Sequence, residues 1–136
     1  NINLLNNIYS KYKHLINFVS IYISEAHGND EWPIRTNKKL QIDQHKNIND
    51  RLKAANKLKQ EYGWKLPLYC DGMDNQFEKQ YQGWPLRIVL IKNDENNENM
   101  TIDYVAEQIQ PYQGFLQFEL FRELEKVLQQ KLNIKK

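Results

Sequence analysis

Glu25 and His27 are the two side chains whose types and spacing best suit chemistry. Residues two apart on an extended segment point to the same side. These two follow the apolar run 18–23, at the carboxyl end of a predicted buried strand, where α/β folds place their sites. A carboxylate can hold an imidazole in one tautomer and raise its basicity. The spacing is compatible with a catalytic pair in which Glu25 orients His27, which would supply a proton or bind a phenolic oxygen. A loop pair that caps backbone groups is the alternative that spacing alone favours.

Other side chains suggest ligand binding. Arg87 begins a predicted buried strand, and its fork of donors suits a substrate carboxylate, with a surface ion pair as the alternative. Trp32, in the long irregular stretch 24–46, lines an aromatic cleft or belongs to the core. Cys70 ends another predicted strand, where a cysteine is usually an inert small hydrophobe. Three histidines without close spacing predict no metal site.

The composition is that of an ordinary globular domain. The 136 residues are 40% hydrophobic and 26% charged, and a net charge of +2 is too small to predict a nucleic-acid partner. A single cysteine excludes an intramolecular disulfide and favours a reducing compartment, facing the cytoplasm rather than secreted. No apolar run approaches the roughly 18–20 residues that cross a bilayer. Any membrane anchor of the parent protein is expected upstream of residue 1.

Hydrophobic periodicity and turn residues predict an alternation of helices and strands. Asn47 is the expected N-cap of the second helix, and Gly63 is its expected end. The predicted apolar face of this helix consists of Ile48, Leu52, Ala55 and Leu58. In order, the predicted elements are helix 1–14, strand 18–23, helix 47–63, strand 66–70, a short helix through 77–81, strands 87–91 and 100–105, and a final helix with Phe118, Phe121, Leu124 and Leu128 on one stripe.

This order predicts a single α/β domain over residues 1–132, followed by a tail at 133–136. Strands that alternate with helices indicate a mixed sheet flanked by helices. The opening helix has no strand before it, although a right-handed crossover normally begins with one. We therefore expect a first strand upstream of residue 1.

Three blocks of the sequence carry a resemblance to a known family. Residues 22–27 (YISEAH), with Asp30 and Trp32, resemble the segment Y-I-E-E-A-H-x-x-D-G-W of the iodothyronine deiodinases. Residues 44–55 resemble that family's Q-H-x-x-L-x-D-R-x-x-A-A, and residues 71–87 resemble D-x-M-x-N…Y-x-x-W-P-E-R-L. Two family acids are replaced here, by Ser24 and Leu86.

The resemblance implies a thioredoxin-like fold with a peroxiredoxin-type insertion, and the reductive removal of iodine from thyroid hormones. It implies that His45 contacts the ligand, although by itself His45 is equally a solvent-facing loop residue. It also makes Pro85, near the site, the counterpart of the thioredoxin-fold cis-proline. An iodinated aromatic substrate, an external thiol reductant, no bound cofactor and a homodimer are its further implications.

The same resemblance places the reactive selenocysteine or cysteine in a motif like S-C-T-U-P-P ahead of the first helix. No part of that motif lies in residues 1–136, so this chain alone is expected to be inactive. Two alternatives remain open: a thioredoxin- or peroxiredoxin-like thiol or peroxide reductase, and a nonenzymatic binding domain that lost its nucleophile.

Overall fold

The computed structural model of the chain describes residues 2–33, 42–93, 100–105 and 117–132. Helices and strands alternate there in the predicted order, which confirms a mixed α/β architecture. The predicted tail at 133–136 lies outside the described residues. The elements are α1 (Ile2–Tyr12), β1 (Ser20–Tyr22), α2 (Ile48–Tyr62), β2 (Leu68–Cys70), α3 (Gln76–Tyr81), β3 (Val89–Asn93), β4 (Met100–Val105) and α4 (Gln117–Lys131).

The described residues separate into two compact units. The first unit comprises Ile2 and residues 6–86, and the second contains residues 3–5 and the described part of 87–136. The first unit therefore holds β1, α2, β2 and α3 with most of α1, and the second holds β3, β4 and α4. That residues 1–132 form one domain stays a prediction.

In the first unit, β1 and β2 form a parallel pair with Ser20 opposite Leu68 and Tyr22 opposite Cys70. The ladder continues past the strands, since the Asp71 N–H donates to the Tyr22 carbonyl at 2.9 Å. Parallel strands end at the same edge. The segment after β1, which carries Glu25, and the turn after β2 therefore leave the sheet side by side.

The prediction of one mixed sheet differs from what the described residues show, which is two sheets of two strands each. The strand predicted at 18–23 is also shorter than expected. Its residues Ser20–Tyr22 are half-buried rather than buried on both faces, and Val19 is 64% exposed. A strand with one neighbour in a two-stranded sheet cannot be covered as a central strand is.

Local signals fix both ends of α2. The Asn47 side-chain oxygen accepts from the Asp50 N–H at 3.1 Å, and Gly63 ends the helix with φ of 66°. The predicted apolar face is confirmed at Ala55, which is buried, but it is wrong at Ile48 and Leu52, which are 41% and 44% exposed. The buried residues of α2 are Arg51, Ala54 and Ala55.

The amide of Asn6, in α1, secures the end of α2. Its Nδ2 donates to the Gly63 carbonyl at 2.8 Å, and its Oδ1 accepts from the Lys65 N–H at 3.0 Å. Asn6 is buried, as are Ile8 and Tyr12 of the same helix. One face of α1 thus supplies both apolar packing and a polar anchor.

The second unit contains the predicted hairpin. β3 and β4 pair antiparallel, with an irregularity between Leu90 and Ile91. Lys131 of α4 forms an ion pair with Asp103 of β4 at 2.7 Å. Leu124 and Leu128 are buried, as predicted, whereas the side chains of Phe118 and Phe121 lie outside the described residues.

Candidate active site

The Glu25 carboxylate lies just beyond the end of β1 and has two partners. Its Oε1 accepts a short hydrogen bond from the Tyr22 hydroxyl. The same oxygen lies 3.8 Å from Nε2 of His45. Glu25 thus sits between a phenol and an imidazole, each of which can direct a proton at one carboxylate oxygen.

His45 is the buried member of this group. Only 1% of its side chain is exposed, and its ring lies 5.6 Å from the Tyr22 ring. Its Nδ1 accepts from Nε–H of Arg51 at 3.4 Å, while its buried Nε2 has no hydrogen-bond partner. Among the described residues, the charged group that lies within ion-pair distance of Nε2 is the Glu25 carboxylate.

Burial sets the proton affinities of the pair that flanks Glu25. Burial lowers the pKa of His45 below its ordinary value of 6.5. The nearby Glu25 charge opposes this shift, and the Arg51 charge adds to it. Burial and then the adjacent Glu25 carboxylate raise the pKa of Tyr22. Near neutral pH, His45 is a neutral imidazole and Tyr22 a neutral phenol.

His27 does not form the pair with Glu25 that the sequence spacing allowed. Its Nδ1 lies 3.2 Å from the Trp32 carbonyl oxygen, and the two rings are 5.3 Å apart. The reason is that the backbone turns after β1, with the Trp32 N–H donating to the Gly28 carbonyl at 3.0 Å. Side chains two apart share a side only while the segment stays extended.

His27 and Trp32 are both exposed; Trp32 is 67% exposed. An exposed imidazole beside an exposed indole offers a polar group and an apolar surface to an aromatic molecule. Trp32 is therefore not a core residue, and that it lines an aromatic cleft stays a prediction.

Gln44 holds the backbone of Glu25 in place. Its Nε2 donates to the Glu25 carbonyl at 2.6 Å, and its Oε1 accepts from the Glu25 N–H at 3.1 Å. The Gln44 N–H in turn donates to Asp30 Oδ1 at 2.8 Å. Gly28 permits this close approach, because a Cβ there would lie 3.1 Å from the Gln44 backbone nitrogen.

Beneath His45, a buried network joins α2 to the turn after β2. Nη1 of Arg51 donates to the carbonyls of Asp71 and Gly72 at 3.1 and 2.7 Å, and Nη2 donates to Asn75 Oδ1 at 2.8 Å. Asp71 itself caps α3, since its carboxylate accepts from the N–H groups of Phe77 and Glu78 at 3.1 and 2.9 Å. Residues from two of the resembling blocks therefore act together as structural supports.

The replacement at Ser24 is also explained locally. The Ser24 hydroxyl donates to Glu78 Oε2 at 2.5 Å, and its backbone N–H lies 3.2 Å from the same oxygen. A carboxylate at position 24 would instead face that of Glu78, which would be repulsive.

Pro85, Arg87 and Cys70 are the remaining residues that the sequence singled out. The Trp84–Pro85 peptide bond is cis, as the resemblance implied. Arg87 belongs to the second compact unit, so its role as a carboxylate clamp stays a prediction. Cys70 is half-buried, with Sγ 4.0 Å from the Arg51 carbonyl, and burial raises the pKa of its thiol.

Sequence reasoning assigned no role to Tyr22, Gln44 or Arg51, although all three stand in the resembling blocks. Arg51 occupies a position of α2 that helical periodicity places on the buried face. A buried arginine needs hydrogen-bond acceptors, so this position could have indicated the network around it. The pairing of Gln44 with Glu25 left no such signal, because it depends on how the loop after β1 folds back toward Glu25.

No described helix is long and apolar enough to cross a membrane. In the described part of the chain, no group of three or more His, Cys, Asp or Glu side chains is placed to hold a metal.

Comparison with known proteins shows the family of the chain. A sequence profile described as iodothyronine deiodinase matches residues 2–108. Type I iodothyronine deiodinase of Xenopus laevis is 33% identical over 87 residues, which are 64% of this chain and 33% of that protein. Thyroxine 5-deiodinase of Ovis aries is 33% identical over 84 residues, 62% of this chain and 28% of the relative. Type II iodothyronine deiodinase of Aquarana catesbeiana is 35% identical over 75 residues, 52% and 28% of the two chains.

The first unit thus holds a half-buried carboxylate and a buried imidazole where parallel strands end, the usual place of an α/β enzyme site. Because the profile covers well over half of the sequence, the chain belongs to the iodothyronine deiodinase family. It spans about a third of the length of the curated relatives that it matches.

Proposed function

We propose that this chain is the proton-transfer and substrate-binding part of a deiodinase-like oxidoreductase that removes iodine reductively from iodothyronine-type phenols. Family membership supports the reaction class. The observation that carries the proposal is the placement of the Tyr22 hydroxyl and His45 Nε2 against one oxygen of Glu25. Reductive dehalogenation of a ring carbon needs a proton at that carbon, and this group is suited to deliver one.

In the proposed reaction, a selenolate or thiolate attacks iodine. The bond between chalcogen and iodine forms and the carbon–iodine bond breaks. The ring carbon keeps the electron pair and takes a proton that Glu25, whose side chain is 23% exposed, relays from solvent, while Tyr22 and the neutral His45 hold the carboxylate in place. Two external thiols then reduce the chalcogen–iodine bond, which yields a disulfide, iodide and the regenerated selenol or thiol.

His27 and Trp32 are proposed to bind the substrate. Their exposure suits contact with an aromatic ring, with the imidazole facing the phenolic oxygen. Arg87 is proposed to bind the substrate carboxylate through its fork of donors. The burial of His45 favours action through Glu25 over direct contact with the ligand.

The nucleophile is proposed to come from the segment that precedes residue 1. Cys70 is the single cysteine of the sequence, and its raised pKa disfavours the reactive thiolate. A strand that carries the nucleophile and pairs beside β1 would extend the two-stranded sheet toward a thioredoxin-like fold. Accordingly, the 136-residue chain alone should release no iodide.

The test is iodide release from thyroxine, with dithiothreitol as the thiol, by the protein extended upstream through its selenocysteine or cysteine. We expect Glu25→Gln and His45→Gln to lower kcat by about 10²-fold, the lower range for loss of a general acid–base group. Glu61→Gln is the matched control, since Glu61 is exposed at the end of α2, and it should leave kcat unchanged. Consumption of peroxide without iodide release would establish the reductase alternative instead. Absence of both activities would leave a binding domain.

A further inference from the structure

Arg51 is a buried cation whose hydrogen bonds all go to neutral acceptors among the described residues. Two are backbone carbonyls, those of Asp71 and Gly72, and one is the side-chain oxygen of Asn75. The fourth acceptor is Nδ1 of His45, which receives the Nε–H at 3.4 Å. Three contacts at the far end of the guanidinium therefore fix its plane, and Nε is left facing the imidazole.

The direction of the Arg51–His45 hydrogen bond has a consequence for the proton on His45. Arginine carries donors only and stays protonated in proteins, so Nδ1 of His45 must be the acceptor. A neutral imidazole carries its one proton on the other nitrogen. The proton of His45 therefore resides on Nε2, which lies 3.8 Å from Glu25 Oε1.

Burial holds His45 in the neutral form, and the charges around it act in both directions. Arg51 acts in the same sense as burial and lowers the pKa of His45, while Glu25 and Asp50 raise it. The Tyr22 phenol, whose ring is tilted against the imidazole, is neutral near pH 7 because its own pKa is raised. The Cys70 thiol is likewise neutral because burial raises its pKa. A second proton on Nδ1 would face the guanidinium directly, which is unfavourable.

We propose that Arg51 is a positioning residue that fixes His45 as the Nε2–H tautomer, so that its proton points at Glu25. The importance of this tautomer for catalysis rests on the proposed function, whereas the tautomer itself does not. The support network after β2 takes part through Arg51, because Asp71, Gly72 and Asn75 orient its guanidinium.

The test measures the tautomer directly in the 136-residue chain with ¹⁵N-labelled histidine. Long-range ¹H–¹⁵N correlation spectra distinguish a protonated from an unprotonated ring nitrogen, and His45→Gln assigns the signal. We expect Nε2 to be protonated and Nδ1 unprotonated from neutral to mildly alkaline pH. In Arg51→Met, the ratio of the two tautomers should fall about tenfold, the effect of losing one hydrogen bond from a charged donor.

Two further variants separate the Nε contact from general support of the fold. Arg51→Lys keeps the charge and can still reach the carbonyls, but it lacks the Nε donor, so the tautomer ratio should fall as in Arg51→Met. Asn75→Gly removes one of the three acceptors that orient the guanidinium and suits the positive φ of 53° at that position. The two carbonyl contacts and the Nε contact remain, so the ratio should fall much less than in Arg51→Met.

An Nδ1–H tautomer in the unsubstituted chain would overturn the inference, even if no Arg51 variant folds. An unchanged ratio in a folded Arg51→Lys protein, or an equal fall in Asn75→Gly, would overturn it as well. These readings need no activity. Failure of the extended protein to release iodide would therefore refute the proposed function separately from the tautomer.

Discussion

Replacing Asp71 by alanine removes the carboxylate that starts α3. Asp71 is buried, and its oxygens accept from three backbone N–H groups: from Gly72 at 2.9 Å, Phe77 at 3.1 Å and Glu78 at 2.9 Å. The residue at the N-cap position, Asn75, makes no side-chain cap hydrogen bond. Asp71→Ala therefore leaves the amino end of this short helix without an acceptor.

The expected loss in the free energy of unfolding is about 2–3 kcal/mol. Loss of a capping side chain usually costs about 1 kcal/mol. Two further N–H groups would lose a charged acceptor in a partly buried place, which adds about 1–2 kcal/mol. Asp71→Asn keeps one acceptor oxygen and should cost about half as much.

The assay is urea unfolding followed by tryptophan fluorescence. All three tryptophans, Trp32, Trp64 and Trp84, lie in the first unit together with Asp71, so the signal reports that unit. With a slope of about 1.5 kcal/mol per molar, Asp71→Ala should lower the midpoint by about 1.3–2 M. Asp74→Asn is the charge-matched control for Asp71→Asn, because Asp74 is exposed three positions on. If the free energies of unfolding of Asp71→Ala and of this control differed by less than about 0.5 kcal/mol, Asp71 would not cap α3 as described.

Two further predictions concern the groups with shifted pKa values. The pKa of His45 is lowered in the folded chain, so the unfolded chain binds more protons below pH 6.5. The free energy of unfolding should therefore fall as the pH decreases below 6.5, by at most about 1.4 kcal/mol per pH unit. The difference in unfolding free energy between the unsubstituted chain and His45→Gln, measured from pH 5 to 8, should show this slope, and a flat difference would contradict it. The raised pKa of Cys70 leaves little thiolate at neutral pH. Its reaction with a disulfide reagent at pH 7.5 should be more than about tenfold slower in the folded chain than in urea, and equal rates would show an accessible thiol.

Short-range signals predicted much of the fold. The cap pair Asn47 and Gly63 set the bounds of α2, because each depends on backbone groups within a few positions. The hairpin of β3 and β4 was predicted from two apolar runs around a polar turn. The buried side of α2 was predicted only in part: Ala55 was named, but Arg51 was not, because periodicity favours apolar side chains.

Some members of the candidate site were predicted from the sequence, but their pairings were not. Glu25, His27 and His45 were each selected, yet the spacing rule paired Glu25 with His27, and the structure pairs it with His45. The rule assumed that the extended backbone continued, whereas a turn begins after β1. The structural roles of Gln44 and Asp71 could likewise not be predicted from residue spacing.

The sequence by itself determined the order of the elements, the ends of α2 and the family to which the chain belongs. These depend on residue types and on neighbours close along the chain, where few conformations compete. Only the tertiary structure decided which groups meet Glu25 and Arg51, because those contacts join segments about 20 residues apart. Such contacts form when the loop after β1 and the turn after β2 leave the sheet at one edge, and burial there then sets the proton affinity of His45.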